Sequence, residues 1–600
     1  MKEKLKNIKD WVIFLLIPTA LFYLSQNTLS RIRSLLNERK QFANIVFLFL
    51  LLLFVSFIIK KVKISSRILT VFIWVWSIIN AYVYEFRGSY ILPWDLYSAG
   101  TALGVAGNFS YMPTKRMVIT TILFILLFVI EGFCELDFGK YIKKIRYQII
   151  LLMVVIIGIG SYTKFVQTET ADHILSISTR QFDPAGLIYK NGPYLGFLYE
   201  LKYFAVEKVD GYSASEQKNI LDSIDADTVS SNIMPDIIVI MNETFSDPAV
   251  NGEIKTNEDY MPFVHSLQNG AENTQTGYLN MSVLGGNTAN SEFEFLTGDS
   301  MAFLPQSSIA YQQLIHKDND TLASYLKTFG YSTLVMHPYL SSGWNRTSVY
   351  PKFGFDDMYF LDGYFDKFSD VKYIREYVSD ESHYDRIIKE VEERSSNGPV
   401  FSFNITMQNH CGYDDKYDNL PWQIRVADTD DEDEDLIRLN NYINLIKLSD
   451  SALEDFIDYY KKVERPTLIV FFGDHQPQNK ILSILFERNG IDIKNLTEDE
   501  VFKSYMVPFV VWANYDIEEK NNLEMSVNYF GNLVLKDAGI PLSRYRQFID
   551  EYSKKYPVIS AIRTVDAEGN SYATEDVVSN MSDYAAMQYY QMFDDKDDYK

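Results

Sequence analysis

The sequence predicts a helical membrane domain of five spans followed by a large α/β domain on the far side of the bilayer. Three observations predict it: apolar runs confined to the first quarter of the chain, a reversal of charge between that quarter and the rest, and downstream β-branched runs that stop at acidic residues. The 600 residues carry 56 Lys and Arg against 79 Asp and Glu, a formal charge of −23, which excludes a generally basic nucleic-acid binder. With 47% apolar and 15% aromatic residues, a mainly disordered chain is excluded as well. The charge is not evenly spread. Residues 1–164 hold 20 Lys and Arg and 8 Asp and Glu, a net +12, whereas residues 165–600 hold 36 and 71, a net −35.

The five apolar runs are Trp11–Tyr23, Phe42–Ile59, Ile68–Tyr84, Met117–Ile130 and Tyr147–Tyr162. Crossing about 30 Å of hydrocarbon takes roughly 20 helical residues, fewer with snorkelling flanks. Phe42–Ile59 is broken only by Asn44 and Ser56, and the shortest run carries Pro18. A cleavable signal peptide explains one run, not five. Lys2–Lys9, Lys60–Arg67 and Lys140–Arg146 each hold four Lys or Arg, against seven in the intervening loops (Arg31, Arg33, Arg39, Lys40, Arg87, Lys115 and Arg116). The positive-inside rule then puts the N-terminus in the cytoplasm and everything after Tyr162 outside. Tyr84, Tyr90 and Trp94 suit an outer interface, while Trp74 and Trp76 fall mid-span and are expected to pack against neighbouring helices.

Residues 165–233 read as a connector with Ser213–Ser231 its loosest part, residues 234–563 as the α/β domain, and residues 564–600 as an acidic, solvated or lightly attached tail ending in Asp594–Asp598. The two cysteines, Cys134 and Cys411, fall on opposite sides of the membrane in this arrangement and cannot pair. A large outer domain with one free thiol suits a bacterial surface without oxidative stapling. The acidic run Asp428–Asp435 lacks the glycine and spacing of a calcium loop and reads as solvated, before a helix at Leu436–Lys461.

Two strand-like runs carry chemistry at their ends. Asp236–Glu243 stops at a carboxylate, and Thr467–His475 stops at Gly-Asp-His. In parallel α/β sheets, ligands gather at the carboxyl ends of strands, so Glu243, Asp474 and His475 are expected in one crevice. Carboxylates with an imidazole suit Mn²⁺, Zn²⁺ or Mg²⁺. By itself Gly-Asp-His reads equally as a strand ending in an Asp-capped turn. Between the two strands lies Leu284-Gly-Gly-Asn-Thr288-Ala-Asn-Ser-Glu-Phe-Glu-Phe-Leu-Thr. Ala289–Leu296 reads as a helix start, which sets Thr288 at a helix N-terminus, favourable for phosphate. Taken alone, the segment fits a capping threonine better than a catalytic one.

Five spans, a connector, then strand-Glu243, Gly-Gly-Asn-Thr288-Ala-Asn-Ser-Glu-Phe, Trp344-Asn345-Arg346 and Gly473-Asp474-His475, in that order, resemble lipoteichoic acid synthase and its phosphoglycerol-transferase relatives in the alkaline phosphatase/sulfatase superfamily. The resemblance runs from the first span to about residue 550 and implies an extracellular sulfatase-like α/β fold. Glu243, Thr288, Asp474 and His475 match the family's metal ligands, usually to Mn²⁺, and Thr288 matches its nucleophile. His337, Trp344, Arg346 and His410 match residues of its substrate pocket. Tyr339 stands where the family often has an Asp, which puts donor and acceptor in doubt before the chemistry.

The implied activity is transfer of glycerol phosphate from phosphatidylglycerol to a glycolipid or polyglycerol-phosphate acceptor, through a covalent threonine intermediate, at the bacterial cell membrane. Elementary chemistry agrees: a threonine hydroxyl is a poor nucleophile until a divalent cation lowers its pKa. Arg346 suits bidentate phosphate binding. His410 suits either proton donation to a leaving alkoxide or phosphate binding. Trp344 suits stacking on glycerol or plain packing. Among rivals, a formylglycine sulfatase needs a Cys or Ser in a C/S-x-P-x-R context that neither cysteine has. A phosphoethanolamine transferase usually has a disulfide-rich outer domain. A phosphodiesterase using water and a non-catalytic surface scaffold or sensor complete the alternatives; the four intact ligands oppose the last.

Overall fold

The computed structural model describes residues 2–29, 36–87, 90–96, 112–177, 190–203, 206, 208–225, 227, 233–305, 308–341, 343–426 and 433–594. The chain divides into two compact units, the first drawn almost entirely from residues 1–206 and the second from residues 207–600.

The first unit is built on α1 (Lys2–Leu29), α2 (Glu38–Ile59), α3 (Val62–Arg87), α4 (Lys115–Glu131) and α5 (Ile145–Val166). Four of them, over Ile8–Leu29, Glu38–Ile59, Val62–Tyr84 and Ile145–Val166, are long and apolar enough to cross a bilayer. The remaining helix, α4, has 17 residues. At 1.5 Å per residue it reaches about 25 Å, the lower limit for a span. Large apolar side chains point outward along the bundle, among them Phe42, Ile58, Phe72, Ile125, Val154 and Ile157. A water-facing surface of that kind would be costly, and a lipid-facing one is not. The two mid-span tryptophans pack as expected: Trp74 Nε1 donates to Thr121 Oγ1 at 3.0 Å, and Trp76 meets Phe197 edge to face. Tyr84 stacks on Tyr90; the Trp94 side chain lies outside the described residues.

Asn44, the polar intruder in α2, has a structural task. Its side-chain oxygen accepts from the backbone N–H groups of Tyr194 and Leu195 at 3.0 Å, and its amide donates to Asn191 O. It thereby caps α6 (Pro193–Glu200), whose first N–H groups have no partner within the helix. The expected connector is therefore split. Its first part, through α6, packs into the first unit, and its later part forms α7 (Ala214–Asp222), with Leu221 buried in the second unit, where a loose stretch was expected.

The second unit is centred on an eight-stranded sheet in the order β10-β2-β9-β8-β1-β7-β3-β4. Its strands are β1 (Asp236–Asn242), β2 (Thr274–Asn280), β3 (Ser332–His337), β4 (Asp357–Phe360), β7 (Val400–Ile405), β8 (Thr467–Gly473), β9 (Met506–Ala513) and β10 (Lys520–Ser526), with β5 (Tyr373–Ile374) and β6 (Tyr377–Val378) forming a small separate hairpin. Only β9 runs against the others. β1 and β8 are buried along their whole length, as expected of central strands covered on both faces. On one face, Ile238, Ile240, Ile469 and Phe471 share a core with residues of α9 (Asp380–Ser395) and α10 (Glu434–Tyr460). On the other, Phe295 of α8 (Thr288–Thr297) meets Phe403 and Phe472, and also Phe530 of α11 (Val527–Asp537).

The C-terminal region corrects an expectation. Up to Asp594 it is not a solvated tail: β11 (Val558–Ile559), β12 (Arg563–Val565) and β13 (Ser571–Ala573) form a sheet, followed by α12 (Ser582–Tyr589). Met581, Tyr584, Met587 and Tyr590 are buried. Their three-residue spacing makes an apolar stripe that the acidic composition conceals. Gln588 bonds both the N–H and the carbonyl of Ser300, and Tyr584 donates to Gly298 O, so this segment braces the exit of α8. Residues 595–600, and residues 428–432 of the acidic run, lie outside the described residues.

Candidate active site

The sheet brings the carboxyl ends of β1, β8, β3 and β7 to one edge, and the loop after β2 joins them there. Glu243 follows β1 and Asp474 follows β8, and those strands pair in register through Asn242 and Gly473. Gly473 is required at that point: a Cβ there would lie 1.8 Å from Phe245 O. The Thr288 loop has the same character. Gly285 has φ +66° and its missing Cβ leaves room for the Gln478 backbone, and Asn287 also sits in the left-handed region.

That turn delivers Thr288 as the first residue of α8. Its hydroxyl does not cap the helix; it donates to Asp474 Oδ2 at 2.7 Å. His475 Nε2 lies 3.1 Å from Asp474 Oδ2 and 3.7 Å from Glu243 Oε1. The ligand atoms of Glu243, Asp474 and His475 all fall within 4.8 Å of one another. His475 Nδ1 faces Gln476 O at 2.9 Å, which sets the proton on Nδ1 and leaves Nε2 buried and without a hydrogen-bond partner. A buried, orphaned imidazole nitrogen aimed between two carboxylates fits a divalent cation. Thr244 steadies both acids, its hydroxyl donating to Glu243 Oε1 and its N–H to Asp474 Oδ1. Without a cation, burial and the Glu243 charge push the Asp474 carboxyl well above the usual carboxylate range.

The opposite wall comes from β3, β7 and the loops after them, and between the two walls lies a cleft of about 110 Å³. His337 ends β3. Its Nδ1 donates to Ile405 O, and its Nε2 accepts from Arg346 Nη1 at 3.1 Å. Burial and the Arg346 charge hold the imidazole well below its ordinary pKa, so it is neutral. Arg346 is buried, and its Nε and Nη2 are both taken by Glu292, whose second oxygen accepts from Tyr350. The expected bidentate grip on phosphate is therefore corrected: that edge of the guanidinium already holds a carboxylate, and Nη1 is the edge that faces His337. Trp344 and Asn345 both have left-handed backbones, with φ 54° and 60°, and Trp344 lines the cleft. Two such residues in succession are strained, and strain of this kind collects at functional sites. His410 lines the cleft with Tyr377 Oη 3.0 Å from its Nδ1. Burial opposes its charge, but Cys411 and Glu243 raise its pKa to about 9.

Several residues here were missed from sequence. Arg375 sits in the β5–β6 turn with φ 54° and donates to the carbonyls of Gln408, His410, Cys411 and Gly412, fixing the loop that carries His410. Behind Glu243, Asp380 accepts from Asn242 and Ser449, and Asn409 donates to Asn242. The polar string Gln408-Asn409-His410 was the available signal; nothing local marks Arg375 or Asp380.

A sulfatase family model matches residues 235–540, just over half of the chain. The chain belongs to the sulfatase family. This sulfatase-family chain is 30% identical over 480 residues to a putative cyclic beta-1,2-glucan modification protein of Rhizobium meliloti, covering 78% of this chain and 71% of that one. It is 26% identical over 394 residues to lipoteichoic acid synthase of Staphylococcus aureus, spanning 62% of this chain and only 56% of that one. Among solved structures, the Streptococcus pyogenes phosphoglycerol transferase GacH, in complex with sn-glycerol-1-phosphate, superposes with a TM-score of 0.52 at 23% identity over 64% of this chain and 95% of that one. The integral membrane lipooligosaccharide phosphoethanolamine transferase A of Neisseria meningitidis gives 0.52 at 12% identity, over 90% of this chain and 97% of that one. These two are likenesses of fold, and the second extends over the apolar helices as well as the sheet.

Proposed function

We propose that this sulfatase-family chain is a membrane-anchored phosphoglycerol transferase with its cytoplasmic N-terminus and outward-facing sheet unit on opposite sides of a bacterial membrane. The donor is phosphatidylglycerol, and the acceptor is a hydroxyl of a glycolipid or a glycerol-phosphate chain. One observation carries the reading: the Thr288 hydroxyl lies at the N-terminus of α8, 2.7 Å from Asp474, beside Glu243 and the orphaned His475 nitrogen. The names of its relatives, a glucan modification protein and a lipoteichoic acid synthase, support an envelope polymer as the acceptor's setting.

Thr288 Oγ attacks the headgroup phosphorus, the bond to the diacylglycerol oxygen breaks, and phosphoglycerol is held on Thr288. An acceptor hydroxyl then displaces Thr288 Oγ, its proton passing to His410 while Asp474 returns the Thr288 proton; this is two-step covalent catalysis. Asp474 takes the Thr288 proton in the first step, being its hydrogen-bond partner. His410, charged at neutral pH, gives a proton to the departing alkoxide. Arg346 offers Nη1 to a phosphoryl oxygen while Glu292 fixes its position. A divalent cation, Mn²⁺ on the resemblance and Mg²⁺ or Zn²⁺ otherwise, would be held by Glu243, Thr288, Asp474 and His475 and would supply the charge that makes the threonine alkoxide accessible.

The same steps on phosphatidylethanolamine are the second reading, favoured by the fold shared with the neisserial transferase over 90% of this chain. Full-length protein in vesicles of each lipid, with Mn²⁺, separates the two. Diacylglycerol released from phosphatidylglycerol at least tenfold faster supports the proposal; the reverse preference rejects it.

A further inference from the structure

A pocket in the first unit has no task in the transfer reading. It measures about 410 Å³ and lies where α1 and α3 end and α4 begins, at the end of the bundle away from Lys2–Lys9. Lys115 and Arg116 line it, together with Tyr84, whose ring stacks on Tyr90. Leu29, Ala81 and Met117 give it an apolar side, and no Asp or Glu is among its lining residues.

In the proposed orientation this cation pair stands outside, where the positive-inside rule disfavours it. Two other cations of the intervening loops have structural work: Arg39 Nη1 donates to Ile174 O and Lys40 Nζ to Lys190 O, both at 3.0 Å. The side chains of Lys115 and Arg116 have no hydrogen-bond or ion-pair partner among the described residues. Two such cations on a cavity without acids suit an anion. The rest of α4 says which anion. Val118, Ile119, Ile122 and Ile125 are exposed along it. From Lys115 to Ile125 the helix rises about 15 Å, the hydrocarbon depth of one leaflet.

We infer that this pocket binds the headgroup phosphate of a net-negative phospholipid of the outer leaflet, whose acyl chains lie along the exposed face of α4, and that this lipid is retained rather than turned over. The inference rests on the membrane orientation proposed above and not on the transfer reaction, whose residues belong to the second unit. Arg116 can offer phosphate two N–H groups and Lys115 a compact charge. Leu29, Ala81 and Met117 suit the less polar glycerol backbone beneath the headgroup. A free phosphate would use the cations and leave the apolar side and the exposed stripe without a partner, so the lipid is the better fit. The site also has a structural use. With 17 residues α4 is at the lower limit for a span, and a phosphate held by its first two residues fixes their level in the interface.

The test is lipid retention. Full-length protein in detergent micelles would be titrated with phosphatidylserine or phosphatidylcholine, and bound lipid counted by native mass spectrometry. Phosphatidylserine is net negative and carries no headgroup glycerol, so transfer from the proposed donor does not enter the count. The tightest phosphatidylserine is expected to bind at least tenfold more strongly than phosphatidylcholine. Lys115→Gln together with Arg116→Gln should weaken it at least tenfold, and each change alone about fivefold. Lys115→Arg with Arg116→Lys, which keeps both charges, should stay within about threefold of the wild type. If the double glutamine variant does not fold, the single variants decide by the same criterion. Equal retention of the two lipids, phosphatidylserine binding indifferent to the glutamine variants, or displacement of the lipid by millimolar glycerol phosphate overturns the inference. Failure of the orientation looks different: an epitope tag after Lys600 would then be out of reach of antibody on intact cells, whatever the lipid does.

Discussion

The two walls of the cleft are built on different principles. The cation corner is short-range: Glu243, Asp474 and His475 sit within a residue or two of the ends of adjacent parallel strands, and Thr288 comes in on one turn. The opposite wall is long-range. His337 depends on Arg346, Arg346 on Glu292 of α8, and His410 on Arg375 from a separate hairpin. What differs is the source of precision. Sheet register fixes the corner, whereas buried ion pairs and carbonyl clamps fix the wall, so substitutions in the corner should remove chemistry and substitutions in the wall should remove order.

The largest effect should fall on the corner. Thr288→Ala is expected to lower phosphoglycerol transfer by about 10³-fold or more while leaving the melting temperature within about 2 °C, as loss of a nucleophile does. Steady-state rates and thermal melts of the full-length protein check both halves. Asp474→Asn should weaken Mn²⁺ binding by about 100-fold, measured by titration with the metal. Equal metal affinity in the variant would break the assignment of the corner.

The wall should respond in stability. Glu292→Gln leaves Arg346 buried without its countercharge, which costs about 3–5 kcal/mol. Denaturant unfolding should reveal it, and Glu292→Leu with Arg346→Met should recover much of the loss. Arg375→Ala strands four loop carbonyls and should cost about 2–4 kcal/mol, with a fall in kcat larger than any rise in KM. The smallest effect is in pH. A raised pKa means that His410 is protonated, and able to donate, below about 9 and loses that ability as pH rises through it. An alkaline limb near pH 9 is expected in kcat, moving to lower pH in Cys411→Ser because the Cys411 thiolate, itself favoured by His410, supports the imidazolium charge. A limb unmoved by Cys411→Ser would make the neighbour irrelevant.

The same contrast explains what the sequence disclosed. Asp236–Glu243 and Thr467–His475 are legible as strands because unbroken hydrophobic runs state their element locally, while their acidic ends mark candidate ligands that Gly-Asp-His alone does not separate from an Asp-capped turn. Four of the expected spans are legible for a similar reason, since apolar length has one main use; α4 lies at the length limit. Arg375 was not legible, because its task depends on a left-handed turn that brings it to a loop more than thirty residues on. Arg346 was legible as a site residue but not in its orientation, since Glu292 reads locally as one more helix acid. The C-terminal segment was misread because its Asp-rich composition outweighed the stripe of Met581, Tyr584, Met587 and Tyr590. Asn44 looked like a blemish in a span, and its partner lies 150 residues away.

The central claim is that Thr288 is a nucleophile held ready at the cation corner. Its most direct test is the intact mass of the full-length protein after incubation with phosphatidylglycerol and Mn²⁺ in the absence of acceptor, followed by peptide mapping. The account predicts a gain of one phosphoglycerol on Thr288 that is missing in Thr288→Ala. Diacylglycerol released at an undiminished rate by Thr288→Ala, or an adduct mapped to another residue, would contradict it.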